Sequence, residues 1–93
     1  MRSIEVVVRS ESGLHARPAA AFVRAASAYA ATIRLRNLTA AGPVADGKSI
    51  VGVLSTGVAQ GHAVRIEAEG PDEDRAVSGL RRLLAGPGEP VGP

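Results

Sequence analysis

From Ile4 to Val8 apolar residues recur at every second position, with Ile4, Val6 and Val8 on one side and Glu5 and Val7 on the other, the period of a strand with one buried face. Ser10, Ser12 and Gly13 then break the pattern. Between Ala16 and Ala30 the period lengthens: Ala19, Phe22, Val23, Ala26 and Ala30 fall at spacings of three and four, the core stripe of an amphipathic helix, while Arg17 and Arg24 share the opposite face. A second strand is predicted over Thr32 to Asn37, with Ile33 and Leu35 opposed to Arg34 and Arg36. A third run, Ala63 to Glu69, sets Val64, Ile66 and Ala68 inward and Arg65, Glu67 and Glu69 outward until Gly70 ends it. Pro71 then opens a second long helix, Asp72, Glu73 and Asp74 complement its positive end, and Val77, Leu80, Leu83 and Leu84 form its apolar stripe up to Gly86 and Pro87.

Two stretches resist this reading. Leu38 to Gly47 is interrupted by Gly42 and Pro43 and leaves room only for a short strand around Val44. Ser49 to Ser55 suits a strand by its β-branched content and a short helix capped by Ser49 by the spacing of Ile50, Val53 and Leu54, so the local pattern leaves both open. The order of elements is that of an α+β fold, with the long helices on one face of a small sheet. The domain spans residues 1–86, and residues 87–93, rich in Pro and Gly, form a frayed tail.

Composition narrows the function. Ninety-three residues suit one domain, too small for a deep private catalytic cavity. With 45% hydrophobic and 22% charged residues the chain lies outside the disordered class. The absence of cysteine suits a cytoplasmic setting, and two histidines make too thin a ligand set for a metal, so neither metal nor cofactor is expected. No run of about twenty apolar residues occurs, and MRSIEVVVRSE does not resemble a signal peptide, so membrane insertion is not expected. A net charge of +2 with Phe22 and Tyr29 as the two aromatics gives nucleic acid little to bind.

The segment that carries chemistry is Ser12-Gly13-Leu14-His15-Ala16-Arg17-Pro18-Ala19, where a strand gives way to a helix. A histidine just before the first helical turn sits beside backbone N–H groups that have no partner and beside the positive end of the dipole, an arrangement that receives anions. Pro18 in the first turn forfeits no hydrogen bond. Histidine, with an ordinary pKa near 6.5, is among the few side chains that attack phosphorus near neutral pH. The N–H groups and Arg17 then supply charge-assisted hydrogen bonds to a phosphoryl group. His62, next to Gly61 and away from any helix start, has no comparable setting and receives no role.

These residues resemble the histidine-containing phosphocarrier family, HPr, of the bacterial phosphoenolpyruvate:sugar phosphotransferase system (PTS). GLHARPA, residues 13–19, is similar to its active-site signature, and KSIVGVLSTG, residues 48–57, to its second signature around a regulatory serine. The similarity runs from Val6 to about Leu84 and takes in the Ala68-Glu69-Gly70 turn. The resemblance implies an open-faced β-sandwich, a four-stranded antiparallel sheet covered on one face by three helices in the order βαββαβα, and a helix rather than a strand after Ser49. It implies that His15 accepts phosphate on Nδ1 from phosphorylated Enzyme I and delivers it to IIA domains of sugar permeases. By the same resemblance Arg17 contacts the phosphoryl group and Ser49 is the residue that a dedicated serine kinase, HPr kinase, modifies in some bacteria. Partners would then dock between the first two helices, where Ala16, Ala20 and Arg24 lie near Lys48, Val51 and Leu54, with Val51 and Leu54 either exposed for that purpose or part of the core. The carrier is expected to be a monomer without turnover of its own. The alternatives are a related carrier serving nitrogen regulation or dihydroxyacetone phosphorylation, and a regulatory module that binds an anion without covalent chemistry.

Overall fold

A computed structural model describes residues 1–86, so the tail expected over residues 87–93 lies outside the described part. The elements are β1 (Arg2–Val7), α1 (Ala16–Ser27), β2 (Thr32–Asn37), β3 (Ala45–Asp46), α2 (Ile50–Ser55), β4 (Ala63–Glu69) and α3 (Glu73–Ala85). The strands form one antiparallel sheet in the order β1-β4-β2-β3, and with the three helices they give the α+β arrangement expected from the pattern and the open-faced sandwich implied by the resemblance. Register follows the alternation: Ile66 of β4 lies opposite Ile4 of β1 and Leu35 of β2, and Val64 opposite Val6, so the apolar positions of neighbouring strands share one face. Onto that face pack Ala19, Phe22 and Ala26 of α1 and Ala76, Val77, Leu80 and Leu84 of α3, all buried.

Helix boundaries depart from the sequence pattern in instructive ways. α1 stops at Ser27, leaving Ala30 exposed rather than in the core stripe. The N–H groups of Ala28 and Tyr29 already turn back to Ala25 and Ala26, and those of Ala30 and Ala31 donate to the two carboxylate oxygens of Asp72 at 2.8 and 2.9 Å. Helical bonds at Ala30 and Ala31 are thus replaced by a carboxylate that arrives from forty-two residues away in the chain. The same contact delays α3, which begins at Glu73 instead of Pro71, with Asp72 at the N-cap position but its side chain committed to the first helix's exit. In α3 the stripe is completed by Ala76 and Ala85, while Leu83 is 41% exposed. β3 consists of Ala45 and Asp46, one step beyond Val44, which is exposed.

The ambiguous segment after Lys48 is helical. Ser49 is extended, and its Oγ accepts the N–H of Gly52 at 3.1 Å, an N-cap that ends the strand alternative for Ile50–Ser55. At the far end the Thr56 hydroxyl donates to the carbonyl of Val53.

The Asp72 clamp makes stability depend on pH. The Ala30 N–H above all, and the Ala31 N–H with it, hold the Asp72 carboxyl below the ordinary aspartate value against the opposing pull of partial desolvation. A depressed folded-state value means that this stabilisation is present above the unfolded pKa near 4 and is lost as pH falls through the folded one. Glu73, lowered chiefly by the N–H of Gly70, adds a parallel contribution. Asp72→Asn retains one acceptor for two N–H groups. It should lower the melting temperature at neutral pH and flatten the fall of stability as pH drops below about 4. Thermal melts across that range check it, and an acid limb as steep as the wild type's would reject the clamp.

Candidate functional site

The turn that presents His15 is seated from behind. Gly13 adopts φ +59°, donates its N–H to Ser10, and lies so close to the 58–59 backbone that a Cβ would collide with the Val58 carbonyl and reach within 2.6 Å of the Ala59 Cα. Only glycine satisfies both the dihedral and the approach. Leu14, fully buried, donates its N–H to the Val58 carbonyl at 2.9 Å and drives its side chain into the core. The next residue is therefore pushed outward: His15 is exposed at the N-cap of α1 with φ −121° and ψ 159°, and its ring makes no capping hydrogen bond.

Ala16 follows at φ +51°, a left-handed conformation that costs a residue with a Cβ about 1–2 kcal/mol. Such strain is held only where neighbours over-determine it, here Leu14 on one side and Pro18 on the other, and it marks functional turns. The first turn of α1 contains no acidic residue. Arg17 is exposed, and no ion pair among the described residues engages it. His15 is thus exposed at a helix N-terminus, two residues before an arginine that no ion pair among the described residues engages, and the first helical turn holds no carboxylate.

α1 packs against α2, which brings the second predicted group of residues alongside the first. Ala16, Ala20 and Arg24 are exposed on α1, and α2 exposes Val51 to 69% and Leu54 to 39%, while Val53 alone of that helix is buried. The open question about Val51 and Leu54 is thereby answered: both face outward. Ile50, 42% exposed, extends the apolar patch beyond the residues that the resemblance pointed to. Lys48 is half-buried. Its Nζ donates to the Tyr29 carbonyl at 2.7 Å, so it ties the exit of α1 to the start of α2. Ser49 is half-buried, with its hydroxyl engaged in the cap.

The PTS HPr family model, described as the PTS HPr component phosphorylation site, matches residues 2–86. The chain belongs to the PTS HPr family. Among solved HPr structures, HPr-C-His from Thermoanaerobacter tengcongensis shares 38% identity at a TM-score of 0.84, covering 90% of this chain and 91% of that one. The phosphocarrier protein HPr from Bacillus anthracis str. Ames shares 32% at 0.84, covering 89% and 95%. A multiphosphoryl transfer protein of Haemophilus influenzae is 40% identical over 85 residues, which make up 90% of this chain and 17% of that protein. The HPr chain described here therefore spans about a fifth of the length of the curated relatives it matches.

Strain at Ala16 can be read out directly. Ala16→Gly removes the Cβ clash of the left-handed conformation and should raise stability by up to about 1 kcal/mol, less the entropy that glycine adds to the unfolded chain. Urea unfolding of the two proteins measures it, and a variant less stable than the wild type would show that Ala16 is unstrained.

Proposed function

We propose that this HPr domain carries phosphoryl groups on Nδ1 of His15, taking them from phosphorylated Enzyme I, itself charged by phosphoenolpyruvate, and handing them to IIA domains of sugar permeases. The observation that carries this reading is the exposed His15 ring, free of capping bonds at the N-terminus of α1. The Nδ1 lone pair attacks phosphorus as the bond to the donor breaks, and the incoming oxygens meet the opening N–H groups of α1 and the Arg17 guanidinium. Each charge-assisted hydrogen bond contributes roughly 1.5–3 kcal/mol. Two or three such contacts on an open surface stabilise the phosphohistidine without trapping it, as a group that must be passed on requires. The exposed ring leaves the reaction to be completed by whichever partner docks, and the domain is a stoichiometric carrier, monomeric and cytoplasmic.

Docking uses the apolar patch of Ile50, Val51 and Leu54 on α2, flanked by Ala20 and Arg24 on α1. A surface that alternates between donor and acceptor must be exposed in the free domain and covered only transiently. Ser49 borders this patch. A phosphoryl group on its Oγ sets a dianion beside Ile50 and Val51 and opposes the approach of acidic or apolar surfaces. Treatment with ATP and an HPr-type serine kinase should then label the wild type and not Ser49→Ala, and equal labelling of both would place the modification elsewhere.

Incubation with phosphoenolpyruvate, Mg²⁺ and Enzyme I, followed by intact-mass analysis, tests the carrier reading. One acid-labile phosphoryl addition is expected on the wild type and none on His15→Ala. Arg17→Ala should slow acceptance by about tenfold, the equivalent of roughly 1.4 kcal/mol of lost transition-state stabilisation. Addition to both proteins would move the acceptor to another residue, and addition to neither would leave the helix terminus without a covalent role.

A further inference from the structure

Asn37, at the end of β2, is a fully buried polar side chain. Its amide nitrogen donates to the Thr56 carbonyl at 3.0 Å and lies 3.1 Å from Nδ1 of His62, while its Oδ1 accepts the N–H of Ala40 at 3.1 Å. The N–H of Ala59 reaches the same Nδ1 at 3.2 Å. Rotating the Asn37 amide by half a turn would set its oxygen against the Thr56 carbonyl and its nitrogen against the Ala40 N–H, so two backbone groups fix its orientation. The Ala59 N–H can only donate. Nδ1 of His62 is therefore met by two donors and must present its lone pair, which assigns the ring proton to Nε2 from the hydrogen-bond network.

What this ring holds together makes it more than a local fastening. Through Asn37 it joins the C-cap of α2, Thr56, to the end of β2, and through Ala59 it closes the turn over residues 59–62, whose backbone His62 N–H also returns to the Ala59 carbonyl at 3.0 Å. The opposite side of that turn is the seat of the phosphoryl site. The Val58 carbonyl receives Leu14, Gly13 rests against Val58 and Ala59, and Gly61 donates to Val8 at 2.8 Å. One node thus lies between the exposed patch of α2 and the turn that presents His15.

We propose that His62 is a positioning residue for phosphoryl transfer: as an Nε2–H imidazole it clamps residues 56–62 through Nδ1 and so sets His15 relative to the docking face of α2. The proposal rests on His15 being the phosphoryl acceptor. A partner that grips α2 must find His15 in line with its own reacting group, and a loosened node leaves both surfaces exposed but out of register. Misplacement by an ångström or less is enough to slow a transfer that depends on alignment.

The experiment has two arms. In the first, long-range ¹H–¹⁵N NMR of the wild type reads the His62 ring; a bare Nδ1 and a protonated Nε2 are expected, and a proton on Nδ1 overturns the proposal. In the second, single-turnover phosphorylation by phospho-Enzyme I is followed for His62→Leu, which fills the space without an acceptor, and His62→Gln, which restores one. The leucine variant should lose about tenfold in rate constant with its amplitude intact, and the glutamine variant should recover most of the rate. An unfolded fraction would lower amplitude instead of rate, so a leucine variant with the wild-type rate constant, or a glutamine variant as slow as leucine, overturns the proposal. His15→Ala in the same assay reports on the acceptor itself. The ring spectrum involves no phosphoryl chemistry, so failure of the carrier reading is seen separately.

Discussion

β4 is the last strand among the described residues, yet it lies between the first two in the sheet, and neither β1 nor β2 has its full set of backbone partners until residues 63–69 arrive. Its three inward residues, Val64, Ile66 and Ala68, are fully buried, so the strand that closes the hydrogen-bonding also forms the middle of the core floor. Pairing with β1 and β2 on both sides fixes the alternation of all three strands at once, because a slip of one residue would turn Ile66 outward and Arg65 inward. α1 and α3 can share a single apolar face only because that register is set.

The candidate site lies where this scaffold runs out of regular structure. The turn before α1 and the turn before β4 lean on each other, through Leu14 and Val58 and through the missing Cβ of Gly13. Burial of Leu14 turns its neighbour His15 into solvent, and the dihedral of Ala16 stores the sharpness of that change of direction. The rigidity that holds His15 in place thus comes from one buried leucine and one close backbone contact, while the ring itself stays exposed, as the proposed exchange between two partners requires.

A second theme is the use of side chains from distant segments to bind backbone groups at helix ends. Asp72 stops α1 by occupying Ala30 and Ala31, Lys48 takes the Tyr29 carbonyl, and Asn37 holds the end of α2. Each bridges segments distant in the chain, and at the exit of α1 the helix end moved from the position that local periodicity gave it.

Much was legible in advance. Alternation over Ile4–Val8, Thr32–Asn37 and Ala63–Glu69, and the stripe of Ala19, Phe22 and Ala26, depend on whether neighbouring side chains share a face, which a linear pattern records. The placement of His15 beside a helix start followed from the break at Gly13 and from Pro18, and its resemblance to the HPr signature is matched by the family to which the chain belongs. What the linear pattern does not record is which distant group competes for a backbone N–H or covers an apolar side chain. The outward turn of Ile50, Val51 and Leu54, the early end of α1, the commitment of Lys48 and the ring state of His62 were decided by such meetings. Periodicity is set by neighbours in sequence, whereas burial of a short helix and the partners of a polar group are set by whatever the tertiary fold brings against them.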